Sequence, residues 1–126
     1  MNIPSELLYS KDHEWVKIDG DKATIGITDF AQRELGDIVY VEIETVGHNL
    51  SIDEIFGTVE AVKTVSDLFM PVSGEVLEFN ETLEDTPESV NEEPYDAGWM
   101  IKIKIDDHSQ LNNLLSPDQY KQLIQA

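Results

Sequence analysis

Short apolar runs with a period of two residues, separated by glycine, most restrict how this sequence can fold. Ala23, Ile25 and Ile27 alternate with Thr24 and Gly26. They follow Asp19-Gly20, a pair that suits a tight hairpin turn because both residues tolerate a positive φ. The segment that begins near Val16 is therefore predicted to form a β-hairpin.

Two further segments show the same alternation. Residues 39–43 and 99–105 each place an apolar side chain at every second position, which predicts strands with one buried and one solvated face. The side chains expected to face the core are Val39, Val41, Ile43, Trp99, Ile101, Ile103 and Ile105. Between these segments, Gly57, Pro71 and Gly74 mark points where strands would bend or turn. The pattern predicts a mainly β fold, either a compact sandwich or a flattened barrel.

Helices are expected only near two points of the chain. Thr28 can cap a short helix near 28–35 that stops at Gly36. A carboxyl-terminal helical segment over 107–125 is predicted from two features, the shared helical face of Leu111, Leu114 and Leu115 and the capping sequence Ser-Pro-Asp-Gln at 116–119. The length of 126 residues predicts one domain, 1–126, with its core at about 9–105.

The net charge of the chain limits the kinds of partner that it can bind. The chain has 8 Lys and Arg residues against 26 Asp and Glu residues, a formal charge of −18, so nucleic acid and membrane surfaces are poor candidates. It has no cysteine, no basic leader and no apolar run of about 20 residues, and we expect a soluble cytoplasmic protein. No Lys or Arg occurs between Thr64 and Ile101, a run that composition alone interprets as a solvated face.

Lys63 is the single cation in an apolar, β-branched stretch, Val-Glu-Ala-Val-Lys-Thr-Val at 59–65. Such a stretch suits a strand-turn-strand tip that holds one long side chain in water. Composition alone favours a simpler role, in which the lysine prevents a hydrophobic hairpin from pairing with other chains.

Residues 60–68, Glu-Ala-Val-Lys-Thr-Val-Ser-Asp-Leu, and residues 70–76, Met-Pro-Val-Ser-Gly-Glu-Val, together carry a resemblance to a known family. They resemble the lipoyl-attachment region of glycine cleavage H proteins, where the modified lysine precedes a Pro-x-Ser-Gly turn. Blocks at 13–16, at 26–28 with 35–39, and at 85–91 with 94–95 and 98–99 resemble other parts of the family. The agreement runs from about Tyr9 to Trp99 in the family's order, and only 44–55 is less typical.

The resemblance implies the lipoyl/biotinyl-type fold, a barrel-sandwich hybrid of two small antiparallel sheets. It also implies that (R)-lipoate is attached covalently to Lys63, and the attachment motif around this lysine comprises Glu60, Val62, Thr64, Pro71 and Gly74.

The implied function is that of a non-catalytic carrier. Such a carrier takes the aminomethyl group of glycine from a pyridoxal-phosphate-dependent decarboxylase to a folate-dependent aminomethyltransferase, and then passes electrons to dihydrolipoyl dehydrogenase. A lipoate ligase, or a lipoyl or octanoyl transferase, would attach the lipoyl group.

A loaded arm carries an amine that needs protection from water. We expect Glu14, from the His-Glu-Trp block, and Asp67, four residues after the lysine, to line a docking cleft through charge-assisted hydrogen bonds. The alternative for each is an ordinary exposed acid.

Three other functions remain open. A biotin carrier would share the fold, but that family flanks its lysine with methionines, whereas Val62 and Thr64 stand here. A lipoyl relay that donates lipoate to other complexes would use the same lysine. An enzyme with a carboxylate pair is the third, but the sequence offers no catalytic residue: His13, His48 and His108 lack metal-binding spacing, and no serine has a nucleophile-elbow setting.

Overall fold

Two antiparallel sheets pack face to face in the computed structural model, which describes residues 1–125. Within these residues the strands are β1 (Leu8–Tyr9), β2 (Glu14–Asp19), β3 (Lys22–Ile27), β4 (Ile38–Glu42), β5 (Asn49–Leu50), β6 (Ile55–Ala61), β7 (Val65–Phe69), β8 (Gly74–Phe79) and β9 (Ile101–Ile105). One sheet has the order β1-β2-β3-β9-β8-β5, and the other has the order β4-β6-β7. The mainly β fold with two antiparallel sheets is confirmed, and among residues 1–125 the sheets do not join into a closed barrel.

The predicted hairpin is β2 and β3. Asp19 pairs with Lys22, so Gly20 and Asp21 occupy the turn, and Gly20 has the positive φ of 65° that a hairpin turn needs. Ala23, Ile25 and Ile27 are all buried, as the alternation predicts.

The alternation over 39–43 fails at Val39. Ile38 pairs with Ala61 and Tyr40 pairs with Glu60, so a β-bulge lies between them and Val39 has no partner of its own. The side chain of Val39 is 48% exposed, whereas those of Ile38 and Val41 are buried. The prediction that Val39 faces the core is wrong, because a bulge interrupts a period of two without leaving a mark in the hydrophobic pattern.

The alternation over 99–105 holds only from Ile101 onward. β9 begins at Ile101, and Ile101, Ile103 and Ile105 are buried as predicted. Met100 was expected on the solvated face but is fully buried, and Trp99 is only partly buried. These two residues precede the strand, so a strand's alternation does not apply to them.

The helices are short. They are α1 (Asp29–Leu35), α2 (Thr82–Asp85), α3 (Ser89–Glu92), a 3₁₀ helix (His108–Asn113) and α4 (Pro117–Ile124). The Thr28 hydroxyl accepts a hydrogen bond from the Ala31 amide and caps α1, and Ser116 with Gln119 forms the predicted capping box of α4. Leu114 and Leu115 lie outside these helices, contrary to prediction, because both backbone groups of Leu115 bond to Tyr9.

Two apolar clusters stabilise the sandwich. The larger fills the space between the sheets with residues such as Ile25, Phe56 and Ile103. The smaller covers the start of the first sheet and contains Leu7, Tyr9, Trp15 and Tyr120, with the Tyr120 ring of α4 stacked on Tyr9 at 4.7 Å. Among residues 1–125, none of the helices combines the length and apolar character needed to cross a bilayer.

Candidate functional site

Lys63 lies at the tip of the hairpin formed by β6 and β7. The Ala61 amide donates to the Thr64 carbonyl at 2.7 Å, so Val62 and Lys63 occupy the turn between them. The Val62 amide donates to the Asp37 carbonyl at 3.0 Å, which fixes the tip against the segment that joins α1 to β4. A short turn held from both sides presents its side chain from a rigid base.

The Lys63 side chain is exposed and extends over Gly36. Its Cε atom lies 3.4 Å from the position that a β-carbon on Gly36 would take. Gly36 has a φ of 83°, a conformation that glycine adopts without strain, and it ends α1 here. Among the described residues the Lys63 ammonium forms no ion pair, since the ion pairs are Arg33 with Asp29 and Lys102 with Glu78. The amine is therefore free for a reaction with an outside reagent.

The rest of the predicted attachment motif divides into exposed and structural residues. Glu60, Val62 and Thr64 are exposed around the tip. Pro71 is buried, and a β-carbon on Gly74 would lie 2.4 Å from the Lys104 carbonyl, so that only glycine fits at the start of β8.

A cleft of about 380 Å³ opens beside this hairpin, between α1 and strands β2, β6 and β7. The residues that line it include Leu35, next to Gly36, and Ser66, three positions after Lys63. Its apolar walls comprise Ile27, Phe30, Ala31, Leu35, Val59 and Leu68. The cleft is thus lined by sequence neighbours of both Gly36 and Lys63, and it offers an apolar surface of small-molecule size.

Glu14 lines the cleft and is almost completely buried, with a relative exposure of 1%. Its carboxyl group accepts hydrogen bonds from the Ser10 hydroxyl at 2.6 Å and from the Phe69 amide at 3.2 Å. Burial raises the pKa of Glu14 from 4.5 to about 8, although both hydrogen bonds oppose that rise. Glu14 is therefore not an ordinary exposed acid, which rejects that alternative for this residue.

Asp67 lines the same cleft from β7 but is exposed. The structure thus brings the two predicted carboxyl groups to one cavity and gives them opposite solvation. Asp12 and Glu34 also line it, and neither was predicted from the sequence. Finding Glu34 requires the packing of α1 on the sheets, which no local pattern gives, whereas Asp12 is only two residues from Glu14.

His13 was singled out only as a histidine without metal-binding spacing, but it too lines the cleft. Its φ of 68° places it in the left-handed region, and its Nδ1 atom lies 2.9 Å from the Tyr120 hydroxyl of α4. Its ring packs on Phe30 at 4.8 Å, and burial lowers its pKa. The unusual backbone at His13 ends the preceding turn and starts β2 with Glu14 directed inward.

The site combines a free amine on a rigid tip with a neighbouring cavity that is apolar along its walls and rich in carboxyl groups. A group attached to the amine could lie along the apolar walls, and a cation at its far end could donate hydrogen bonds to Glu14 and Asp67. The described residues thus offer an exposed amine and, near it, a partly apolar cavity.

Comparison with known proteins gives one family throughout. The family model described as glycine cleavage H-protein matches residues 7–126. The glycine cleavage system H protein of Staphylococcus carnosus is 60% identical over 124 residues, which cover 98% of each chain. That of Halalkalibacterium halodurans is 59% identical over 123 residues, 98% of this chain and 96% of the relative. The crystal structure of the H protein from Mycobacterium marinum superposes with a TM-score of 0.90 at 36% identity and covers 98% of this chain and all of the other.

Proposed function

Because the chain belongs to the glycine cleavage H-protein family and is a lipoyl carrier of the glycine cleavage system, not an enzyme, we propose that Lys63 holds its lipoyl group. The observation that carries this proposal is the exposed amine at the tip of a rigid hairpin, which forms no ion pair with any of residues 1–125. The amide would join Nζ to the carboxyl carbon of activated (R)-lipoate as the bond from that carbon to the activating group breaks. Nζ would give up two protons, so the positive charge of the lysine would be lost.

The residues around Lys63 fit such a group. The cleft beside the hairpin has apolar walls that suit a hydrocarbon arm, and Glu14 and Asp67 lie in it as hydrogen-bond acceptors. When bound, the group would supply a dithiolane, whose disulfide is the acceptor for the aminomethyl group and the redox centre that this function needs.

Glu14 and Asp67 would hold the amine of the loaded arm away from bulk water. A buried Glu14 with a pKa near 8 is largely protonated at neutral pH, and an ammonium group beside it favours its ionised form. Docking would therefore release a proton from Glu14 and create a charge-assisted hydrogen bond in a site shielded from solvent.

The partners that this function requires follow from its chemistry. They are the pyridoxal-phosphate-dependent glycine decarboxylase, the folate-dependent aminomethyltransferase and dihydrolipoyl dehydrogenase, together with the ligase or transferase that modifies Lys63. A tethered intermediate reaches each of these enzymes at a high effective concentration.

Intact mass after incubation with lipoate, ATP and a lipoate ligase tests the attachment site. We expect one added lipoyl group in the wild-type chain and in Lys11→Arg, a matched exposed lysine, and none in Lys63→Arg. Modification of Lys63→Arg, or transfer of biotin to Lys63 by a biotin ligase in its place, would overturn the assignment.

The role of the cleft is tested by the release of ammonia from the loaded carrier in the absence of partner enzymes. Loss of one charge-assisted hydrogen bond, about 1.5–3 kcal/mol, should speed release on the order of tenfold or more in Glu14→Gln and in Asp67→Asn. Asp85→Asn, an exposed acid outside the cleft, is the control and should release ammonia at the wild-type rate. An unchanged rate in both cleft variants would leave these residues without a protective role.

A further inference from the structure

Four exposed apolar side chains lie together beside Lys63. They are Val39, Tyr40, Val62 and Val65, which we call the hairpin patch, with relative exposures of 48%, 46%, 75% and 61%. Tyr40 of β4 pairs with Glu60 of β6, and Glu60 pairs with Val65 of β7. The side chains of Tyr40, Glu60 and Val65 therefore form one row across the outer face of this sheet, with Glu60 in the middle. Val62 is exposed as well and lies in the turn that carries Lys63, two residues after Glu60.

The β-bulge in β4 enlarges this patch. Because Val39 has no partner of its own between Ile38 and Tyr40, two residues of β4 stand opposite Glu60, and both of their side chains are exposed. In a strand that kept a period of two back from the buried Val41, Val39 would face the core and gain the free energy of burial. The structure therefore leaves an apolar surface in water at this position.

The other apolar residues of comparable exposure lie in the amino-terminal segment, in the connection from β4 to β5, at the start of β6 and on α4, and they include Met1 at 52% and Ile55 at 47%. Val46 is 47% exposed in the connection from β4 to β5, and Leu123 is 49% exposed on α4. Single exposed apolar side chains are ordinary, whereas a contiguous group marks a surface that binds something.

We propose that the hairpin patch is the docking surface for the enzyme that acylates Lys63, an inference that rests on the proposed function. Before modification the amine lies only one lysine side chain away from the hairpin backbone. An enzyme that forms the amide must therefore bring its active site against the tip and cover Val62 and Val65. A partner that acts on the finished arm meets its reactive end much farther out, so it has less need of this surface.

The charge around the patch defines the chemistry of the partner surface. Glu60 stands in the middle of the row, and Asp37 and Glu42, both exposed, flank Val39 and Tyr40 in the sequence. The complementary surface is apolar with lysine or arginine around it. A second copy of this chain is a poor occupant, because it carries a formal charge of −18 and would bring another Glu60 against the first.

The test is the steady-state kinetics of lipoylation by a purified lipoate ligase, with the unmodified full chain as the varied substrate. The variants are Val39→Thr and the double variant Val39→Thr with Tyr40→Thr, which keep β-forming residues at exposed positions. Loss of an aromatic anchor at an interface should raise the KM of the double variant about tenfold and leave kcat within about twofold of wild type. Val39→Thr alone should give a smaller rise in KM, and Val46→Thr, the matched control, should give none.

The other possible results distinguish a wrong attachment site from a wrong docking surface. If Lys63→Arg is still acylated, the proposed attachment site is wrong and the inference is wrong with it. If Lys63 is required but the double variant keeps the KM of Val46→Thr, only the docking surface is refuted. It is refuted as well if the lipoylated double variant instead raises the KM of glycine decarboxylase, or if wild type sediments as a dimer that the double variant abolishes.

Discussion

Glu14 is a carboxyl group held where water barely reaches it. Only 1% of its surface is exposed, and burial moves its pKa from 4.5 to about 8. The folded chain therefore keeps a proton at neutral pH that the unfolded chain gives up. This difference couples the stability of the protein to pH, and it accompanies the same solvent exclusion that would protect a docked amine.

The unfolding of wild type and of Glu14→Gln should depend differently on pH. A group whose pKa is raised on folding stabilises the folded protein fully at pH values below its pKa in the unfolded chain. That stabilisation is lost as the pH rises towards its pKa in the folded chain. The free energy of unfolding of wild type should fall relative to Glu14→Gln by up to about 1.4 kcal/mol per pH unit between 4.5 and 8. Urea denaturation at a series of pH values measures this difference in the free energy of unfolding. The control is Glu88→Gln, which replaces an exposed acid. Parallel curves for wild type and Glu14→Gln would contradict the raised pKa.

The burial of Glu14 could have been predicted from the sequence, whereas other parts of the site could not. Glu14 precedes Val16 by two residues, so a period of two puts both side chains on the face of β2 that lines the interior. The exposure of Lys63 follows equally from its place between β-branched residues at a turn. That Glu34 and Asp67 line the same cleft could not have been predicted, because it depends on how α1 packs against strands that follow it in the sequence.

At the scale of elements, α3 fixes the connection that supports the Lys63 hairpin. The Ile38 amide donates to the Asn91 side-chain oxygen at 2.9 Å, and the Asn91 side-chain nitrogen donates to the Gly36 carbonyl at 2.9 Å. Gly36 lies under the Lys63 side chain, and the Asp37 carbonyl accepts from Val62. One asparagine therefore holds both ends of the segment on which the tip rests.

Replacement of Asn91 should destabilise the fold. In Asn91→Ala the Ile38 amide loses its hydrogen-bond acceptor, and we expect a loss of about 1–3 kcal/mol in the free energy of unfolding. Asn91→Asp keeps that acceptor but places an oxygen near the Gly36 carbonyl, so it should also be less stable than wild type. Chemical denaturation measures both variants, and the exposed Asn112→Ala is the control. Equal stability of Asn91→Ala and Asn112→Ala would refute the role of α3.

The elements show where sequence patterns succeed and where they stop. The residues of β3 and β9 that alternation predicts as core are buried, and the caps of α1 and α4 form at Thr28 and Ser116, because these signals act between residues a few positions apart. Strand β2 does not alternate, since residues 14–16 are buried and residues 17–19 are exposed. The side chain of Val39 is exposed because of the register of β4 against β6, and this register is set by the whole sheet. The short helices α2 and α3 have no amphipathic pattern long enough to predict them.

At the scale of the whole molecule, the acidic side chains far outnumber the basic ones, so most of the negative charge is not neutralised. The formal charge is −18, and the ion pairs among residues 1–125 are Arg33 with Asp29 and Lys102 with Glu78. The stretch that lacks cations includes exposed acids at Glu81, Glu84, Asp85, Glu88, Glu92, Glu93 and Asp96. These charges repel each other more in the folded chain than in the expanded unfolded chain, and salt screens that repulsion.

The melting temperature should therefore rise with salt, and the rise should depend on this acidic stretch. Between about 0.01 M and about 0.5 M NaCl the Debye length falls below the spacing of neighbouring surface charges, so most of the repulsion is removed. A variant with Glu81, Glu84 and Glu88 all changed to Gln carries less of that repulsion, so it should melt above wild type at low salt and close to it at high salt. Differential scanning calorimetry at both ionic strengths measures this. The control is Asn112→Gln at an exposed position, which leaves the charge unchanged and should keep the full wild-type response to salt. If the triple variant gains as much from salt as wild type does, repulsion within the acidic stretch does not limit stability, and these carboxylates act only on what approaches the protein from outside.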